Sequence, residues 1–146
     1  MNERKAPAKE FGRQDPLAIK VSPDMVDEDY VALAELAIQF EVDGIIAGNT
    51  TIQKQDVASS PHAGEAGGLS GQPLAQRARR VISFLSEQLQ GAIPIIGVGG
   101  ISSGKDAVAH LQAGATLVQM YSGLVFRGPE LINEIRREVS QPALPG

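Results

Sequence analysis

IPIIGVGGISSGKDAV, residues 93–108, holds the transition that decides the fold. Ile93 to Val98 is nearly all apolar, as expected of a strand covered on both faces, and it stops at the pair Gly99-Gly100. Ser103 then stands as a helix cap with Asp106 three positions on, a capping box with Asp in place of the usual Glu. Strand, glycine turn and capped helix make one βα unit, whose helix ends near Gly114.

The same unit recurs in both directions. Upstream, Leu17 to Val21 predicts a strand, and Asp27 caps a helix whose apolar stripe is Leu33, Leu36, Ala37 and Phe40. Gly44 to Ala47 predicts the next strand. A polar, glycine-rich connection from Gly48 to Gly71 leads to a helix with Leu74, Ala78, Val81, Ile82, Leu85 and Leu89 on one face, ended by Gly91. Downstream, Thr116 to Met120 predicts a fourth strand. A short segment, Tyr121 to Phe126, and a helix from about Pro129 to Val139 follow, the helix carrying Leu131, Ile132, Ile135 and Val139 inward. Four βα units in series predict a parallel sheet with right-handed crossovers. Periodicity by itself leaves a barrel and an open doubly wound sheet both standing.

The chain has 146 residues, 42% of them hydrophobic and 21% charged, which is the composition of one globular core. A complete (β/α)8 barrel needs roughly 250 residues, so a chain of these units supplies about half of one. A net charge of -4 without a basic block argues against a nucleic-acid partner. No cysteine is present, which excludes disulfides, zinc thiolates, iron-sulfur clusters and a thiol nucleophile. No apolar run reaches the roughly 20 residues of a spanning helix, so the chain by itself is expected to be soluble. Residues 1–15, charged and flanked by proline, read as a linker or frayed helix end, and 16–146 as the folded unit.

Paired glycines at a strand end let backbone N–H groups approach a phosphate, and the helix start behind them adds partial positive charge. GVGG therefore reads as a phosphate site, beside the plainer reading of a tight turn. Two lookalikes fail. Gly99, Gly104 and Lys105 have nucleotide P-loop spacing, but Asp106 stands where a hydroxyl is required; Gly97, Gly99 and Ser102 miss the last glycine of the dinucleotide fingerprint. Ser70 in GGLSG lacks the glycine two positions on that a nucleophile elbow needs.

Other candidates come from position. The connection 48–71 is long enough to be a lid over a ligand, beside the reading of a disordered insertion. Lys20 is charged within the apolar strand LAIKVS and either faces solvent at an edge or points into a site; its apolar neighbours favour the site. Asn49, Thr50 and Thr51 follow the second strand, where a barrel gathers its functional groups. They could bind a polar heterocycle or merely cap the turn. His62 and His110 have no partner at metal or triad spacing and read as surface residues. Asp27, Glu28 and Asp29 read as helix-start charges.

Taken in order, IKVSPDM, GNTT, GGLSGQPL, IPIIGVGGISSG and AGATLVQMYSGLVFRGP resemble the C-terminal half of dihydroorotate dehydrogenase over residues 16–139. The NTT and MYSG forms resemble the quinone-using class. This resemblance implies an α/β fold that is half of a (β/α)8 TIM barrel, with strands five to eight and their helices, and FMN as cofactor. It implies flavin contacts at Lys20, Gly48, Gly71, Gly100, Tyr121 and Ser122, and contacts to dihydroorotate or orotate at Asn49 and Thr50. The family often has Thr where Gly48 stands, so only a backbone contact is expected there.

The implied reaction is oxidation of dihydroorotate to orotate, a step of pyrimidine biosynthesis, with quinone reoxidising the flavin. The family's serine base and its membrane- and quinone-contacting helices match nothing in this chain. The resemblance therefore implies a base outside it, a peripheral place on the cytoplasmic side of the membrane for the full-length protein, and a chain inactive alone. The sheet would have two open edges, so a complementary half-barrel or a second copy is expected as partner. A non-catalytic flavin- or phosphate-binding half-barrel that self-associates is the alternative.

Overall fold

A computed structural model describes residues 15–140. The linker expectation for residues 1–15 therefore lies, but for Asp15, outside the described residues, as does the end of the chain after Ser140.

The elements alternate: β1 Ala18–Val21, α1 Asp27–Gln39, β2 Gly44–Ala47, α2 Ala75–Leu89, β3 Ile95–Val98, α3 Gly104–Gln112, β4 Leu117–Gln119, then α4 Ser122–Arg127 and α5 Glu130–Ser140. The four strands form one parallel sheet in the order β1-β2-β3-β4. β1 and β4 each leave one edge without a strand partner among the described residues.

Strand side chains alternate between two faces. Val21, Ile45, Ala47 and Ile95 pack with Val81, Ile82, Leu85 and Leu89 of α2 and with Tyr30, Ala34 and Ala37 of α1. Burying each large aliphatic side chain is worth about 1.5–3 kcal/mol, so this helix-facing layer dominates the stability. The intervening residues form a row across the sheet, Lys20 beside Ile46, Ile46 beside Ile96 and Ile96 beside Leu117, on the side the helices leave open. A smaller cluster of Ile101, Ala107, Leu131 and Ile135 joins α3 to α5.

All six expected positions are buried, Leu74 in the turn just before α2 and the other five on the helix, and the helix stops where Gln90 and Gly91 take left-handed φ values of 46° and 81°. Ser103 caps α3, its Oγ accepting the N–H of Asp106 at 3.2 Å.

Three expectations need correction. Asp27 is the first residue of α1 rather than its cap; Val26 occupies that place with no side-chain bond. The α1 face is turned: Tyr30, Ala34 and Ala37 are buried, while Leu36 is 53% and Phe40 43% exposed. Tyr30 is drawn inward because its Oη donates to the Ser22 carbonyl at 2.7 Å and its ring packs 5.9 Å from that of Phe84. On α5 only Leu131 and Ile135 are buried, with Ile132 and Val139 exposed, because that helix packs along a narrow stripe against α3.

Candidate functional site

At the C-terminal ends of the strands lies a cavity of about 290 Å³. Lys20 enters it from β1, Gly48, Asn49 and Thr50 from the segment after β2, Gly71 from the far end of that connection, Gly100 from the turn after β3, and Tyr121 with Ser122 from the segment after β4. All eight residues singled out in the sequence thus line one space, although they come from one strand and three separate connections. Ser70, Leu74, Val98, Gly99, Ile101, Met120 and Gly123 complete the lining.

Lys20 makes no ion pair among the described residues and its side chain remains exposed at the cavity. Asn49 uses its Oδ1 to accept the Thr50 N–H at 2.9 Å, leaving its amide donors free. Across the cavity, the N–H groups of Gly100, Tyr121, Ser122 and Gly123 donate to no protein group among the described residues. Gly100 has φ 74°, and a Cβ there would overlap the backbone of Ala75; a Cβ on Gly123 would overlap the Ile101 carbonyl. The backbone therefore lies open to a ligand at positions that no side chain can occupy.

The connection 48–71 is anchored at its base. Thr51 and Leu69 exchange backbone bonds of 3.1 and 2.7 Å, and Ser122 Oγ donates to Ser70 Oγ at 3.0 Å. Asp24 holds the outgoing arm: one carboxylate oxygen accepts the buried Thr51 hydroxyl, the other accepts the Ile52 N–H at 2.8 Å, and Arg77 stands 3.4 Å away. Of the lid expectation, both ends of the connection line the cavity, while its middle does not. The sequence reading missed Asp24, whose partners lie 27 and 28 positions along the chain.

The turn after β3 is braced from behind. The Asp106 carboxylate accepts from the N–H and Oγ of Ser102, at 3.1 and 3.0 Å, and from Ser103 Oγ at 2.8 Å. Burial acts to raise its pKa, but these hydrogen bonds outweigh it and hold the carboxyl below its usual range. From α5, Glu134 accepts the Gly104 N–H at 2.8 Å and binds Arg127, which itself donates to the Ser102 carbonyl. The Gly104 bond, with Arg127, lowers the pKa of Glu134.

His110 corrects another expectation: it is fully buried, not a surface residue. Its Nδ1 lies 2.9 Å from the Asp106 carbonyl and its Nε2 2.9 Å from the Gly99 carbonyl. Burial depresses its pKa, against the opposing pull of the two carbonyls. The neutral ring then has one N–H for two acceptors. The Asp106 carbonyl is already placed to accept the backbone N–H four residues on in α3, whereas no other described group donates to Gly99. A buried carbonyl without a donor costs about 1–3 kcal/mol, so the proton belongs on Nε2. The clue in the sequence was phase: Gly104, Ala107 and His110 recur every three residues and all are buried. His62 is exposed, its Nδ1 2.6 Å from Glu65.

Four parallel strands packed by helices on one face, with a glycine-lined cavity at their C-terminal ends, are the arrangement of a (β/α)-barrel segment. The family model for dihydroorotate dehydrogenase matches residues 2–142, and the chain belongs to that family. It is 52% identical over 134 residues to a dihydroorotate dehydrogenase (quinone) of Chromobacterium violaceum, covering 92% of this chain and 39% of that one. To the corresponding protein of Rhodospirillum rubrum it is 50% identical, covering 89% and 35%. A ligand-free dihydroorotate dehydrogenase structure from Eimeria tenella superposes with a TM-score of 0.83 at 34% identity, covering 94% of this chain and 40% of that one. The chain spans about 40% of the length of the curated relatives it matches. The four-stranded unit is accordingly a portion of the barrel, as the resemblance implied.

Proposed function

We propose that this chain is the FMN-holding and substrate-facing portion of a dihydroorotate dehydrogenase that passes electrons to quinone. The observation that carries the reading is the convergence of Lys20, Asn49, Thr50 and a rank of free backbone N–H groups on one cavity. The residues present fit FMN: by sheet order, the cation stands on the β1 side and the open N–H groups at the β3 and β4 ends, as a flavin ring and its phosphate require.

In this reading Gly71, Gly100, Tyr121 and Ser122 hold the phosphate and ribityl end, and Gly48 offers backbone beside the ring. FMN, when bound, supplies the acceptor for the hydride leaving dihydroorotate. Lys20 places positive charge where electron density accumulates on reduction. Asn49 and Thr50 orient the substrate ring through amide and hydroxyl bonds. No residue of this cavity is assigned the proton abstraction, which we place on a serine outside the chain, so the chain alone is inactive as a dehydrogenase.

Orotate added to the FMN-loaded chain is expected to perturb the flavin absorbance, and Asn49→Ala to abolish that response while FMN still binds. An unchanged response in the variant would remove Asn49 from the substrate site; no flavin binding at all would remove the reading itself.

The open β1 and β4 edges are, in the same reading, closed by a complementary half-barrel or a second copy. Sedimentation of the purified chain is expected to show a dimer or larger species if a second copy closes the edges, and a monodisperse monomer would leave only the complementary half-barrel as partner. Among the described residues no helix is long and apolar enough to cross a membrane; a peripheral place on the cytoplasmic side comes with the quinone.

A further inference from the structure

We infer that His110 is a positioning residue that locks the Gly99-Gly100 peptide so that the Gly100 N–H faces a phosphate in the cavity. The inference rests on the flavin reading above for the identity of the ligand. It concerns a side chain that does not line the cavity.

The C=O and N–H of a trans peptide point in opposite directions. His110, buried beneath the turn, holds the Gly99 carbonyl at 2.9 Å through Nε2. The N–H on the other side of the same peptide belongs to Gly100, which lines the cavity and donates to no described protein group. Gripping the oxygen from below therefore aims the hydrogen above.

A lock is needed because both residues flanking the peptide are glycines, with φ 114° and 74°, and two adjacent glycines offer little resistance to a peptide flip. Flipped, the peptide would present its carbonyl oxygen to the phosphate and repel it. The ring is held through its own helix: the Asp106 carboxylate, one turn before His110 in α3, ties the helix start to Ser102 and Ser103. Gly97, where a Cβ would stand 3.3 Å from the imidazole, leaves room for the ring.

Two amides separate this role from simple filling of space. A glutamine side chain reaches about as far as Nε2 and can keep the bond to Gly99; asparagine reaches only to the place of Nδ1. The affinities of FMN and riboflavin, measured by flavin fluorescence on the wild-type chain and both variants, isolate the phosphate contribution. The wild type and His110→Gln are expected to prefer FMN, and His110→Asn to lose about tenfold of that preference with riboflavin affinity unchanged, as for one charge-assisted bond.

Inorganic phosphate reads the same peptide without flavin, through the Gly100 amide signal in 15N–1H spectra. That signal is expected to move in the wild type and His110→Gln and not in His110→Asn. A His110→Asn protein that keeps the preference for FMN, or a wild-type Gly100 amide that ignores phosphate, overturns the inference even if the Asn variant fails to fold. A wild type that binds neither flavin overturns the flavin reading alone, and the phosphate response then decides the role of His110.

Discussion

The carboxylate of Asp24, just after β1, accepts the buried hydroxyl of Thr51, just after β2. Neighbouring strand ends are thereby tied together at the rim where the cavity opens, and the same carboxylate holds the Ile52 N–H. Replacing Asp24 with Ala leaves both donors without that acceptor, which costs about 1–3 kcal/mol. Urea unfolding is expected to show that loss, and limited proteolysis a faster cut within 52–68. An unaltered midpoint would show that the tie contributes little.

Lys20→Ala is expected to leave FMN bound but to make its reduction harder, because positive charge near the ring stabilises the reduced form more than the oxidised one. A loss of about 1.4 kcal/mol corresponds to about 30 mV for a two-electron couple. Spectroelectrochemical titration reads the shift; Lys20→Arg is expected to retain most of the wild-type potential. A potential unmoved in the Ala variant would place Lys20 away from the ring.

Gly100→Ala is expected to damage folding and ligand binding together. The residue sits at φ 74°, and the added methyl would fall on the backbone of Ala75. The left-handed conformation alone costs about 1–2 kcal/mol for a residue with a Cβ, and the overlap adds to it. Gly64, with open space around it, is the control: Gly64→Ala should change the denaturant midpoint little.

Stability should also fall as pH drops below neutrality. His110 has its folded pKa depressed below the ordinary 6.5 by burial, with Arg79 adding to the depression and Asp106 opposing it. The unfolded chain therefore takes up a proton first. The stability held above pH 6.5 is lost progressively as pH falls toward the folded pKa. Asp106, also depressed, contributes stability that persists to lower pH and disappears only below its ordinary 3.8. Urea unfolding from pH 7.5 to 5 should show the first slope in the wild type and not in His110→Gln; a slope of equal size in the variant would assign it elsewhere.

The βα rhythm was legible because strands and helices differ in apolar period, and α2 shows this at every position of its stripe. Of the eight cavity residues, Lys20, Asn49 and Thr50 were legible by position on and after strands whose ends a parallel α/β sheet brings to one rim, and Gly100 by its glycine pair, while Gly48, Gly71, Tyr121 and Ser122 came from the family resemblance alone. Partnerships between distant residues were not. Asp24 with Thr51, and His110 with Gly99, depend on packing angles that no local pattern carries. The α1 face failed for a similar reason: Tyr30 is polar at its tip, and only the nearby Ser22 carbonyl makes its burial favourable.

Where FMN contacts the chain tests the central claim most directly. Backbone 15N–1H spectra of the labelled chain, recorded as FMN is added, are expected to shift at Lys20, Gly48 to Thr50, Gly71, Gly99 to Ile101 and Tyr121 to Gly123. Saturable shifts confined to that rim would establish the cavity as the flavin site. Shifts scattered over the helix-covered face, or none at all, would contradict it.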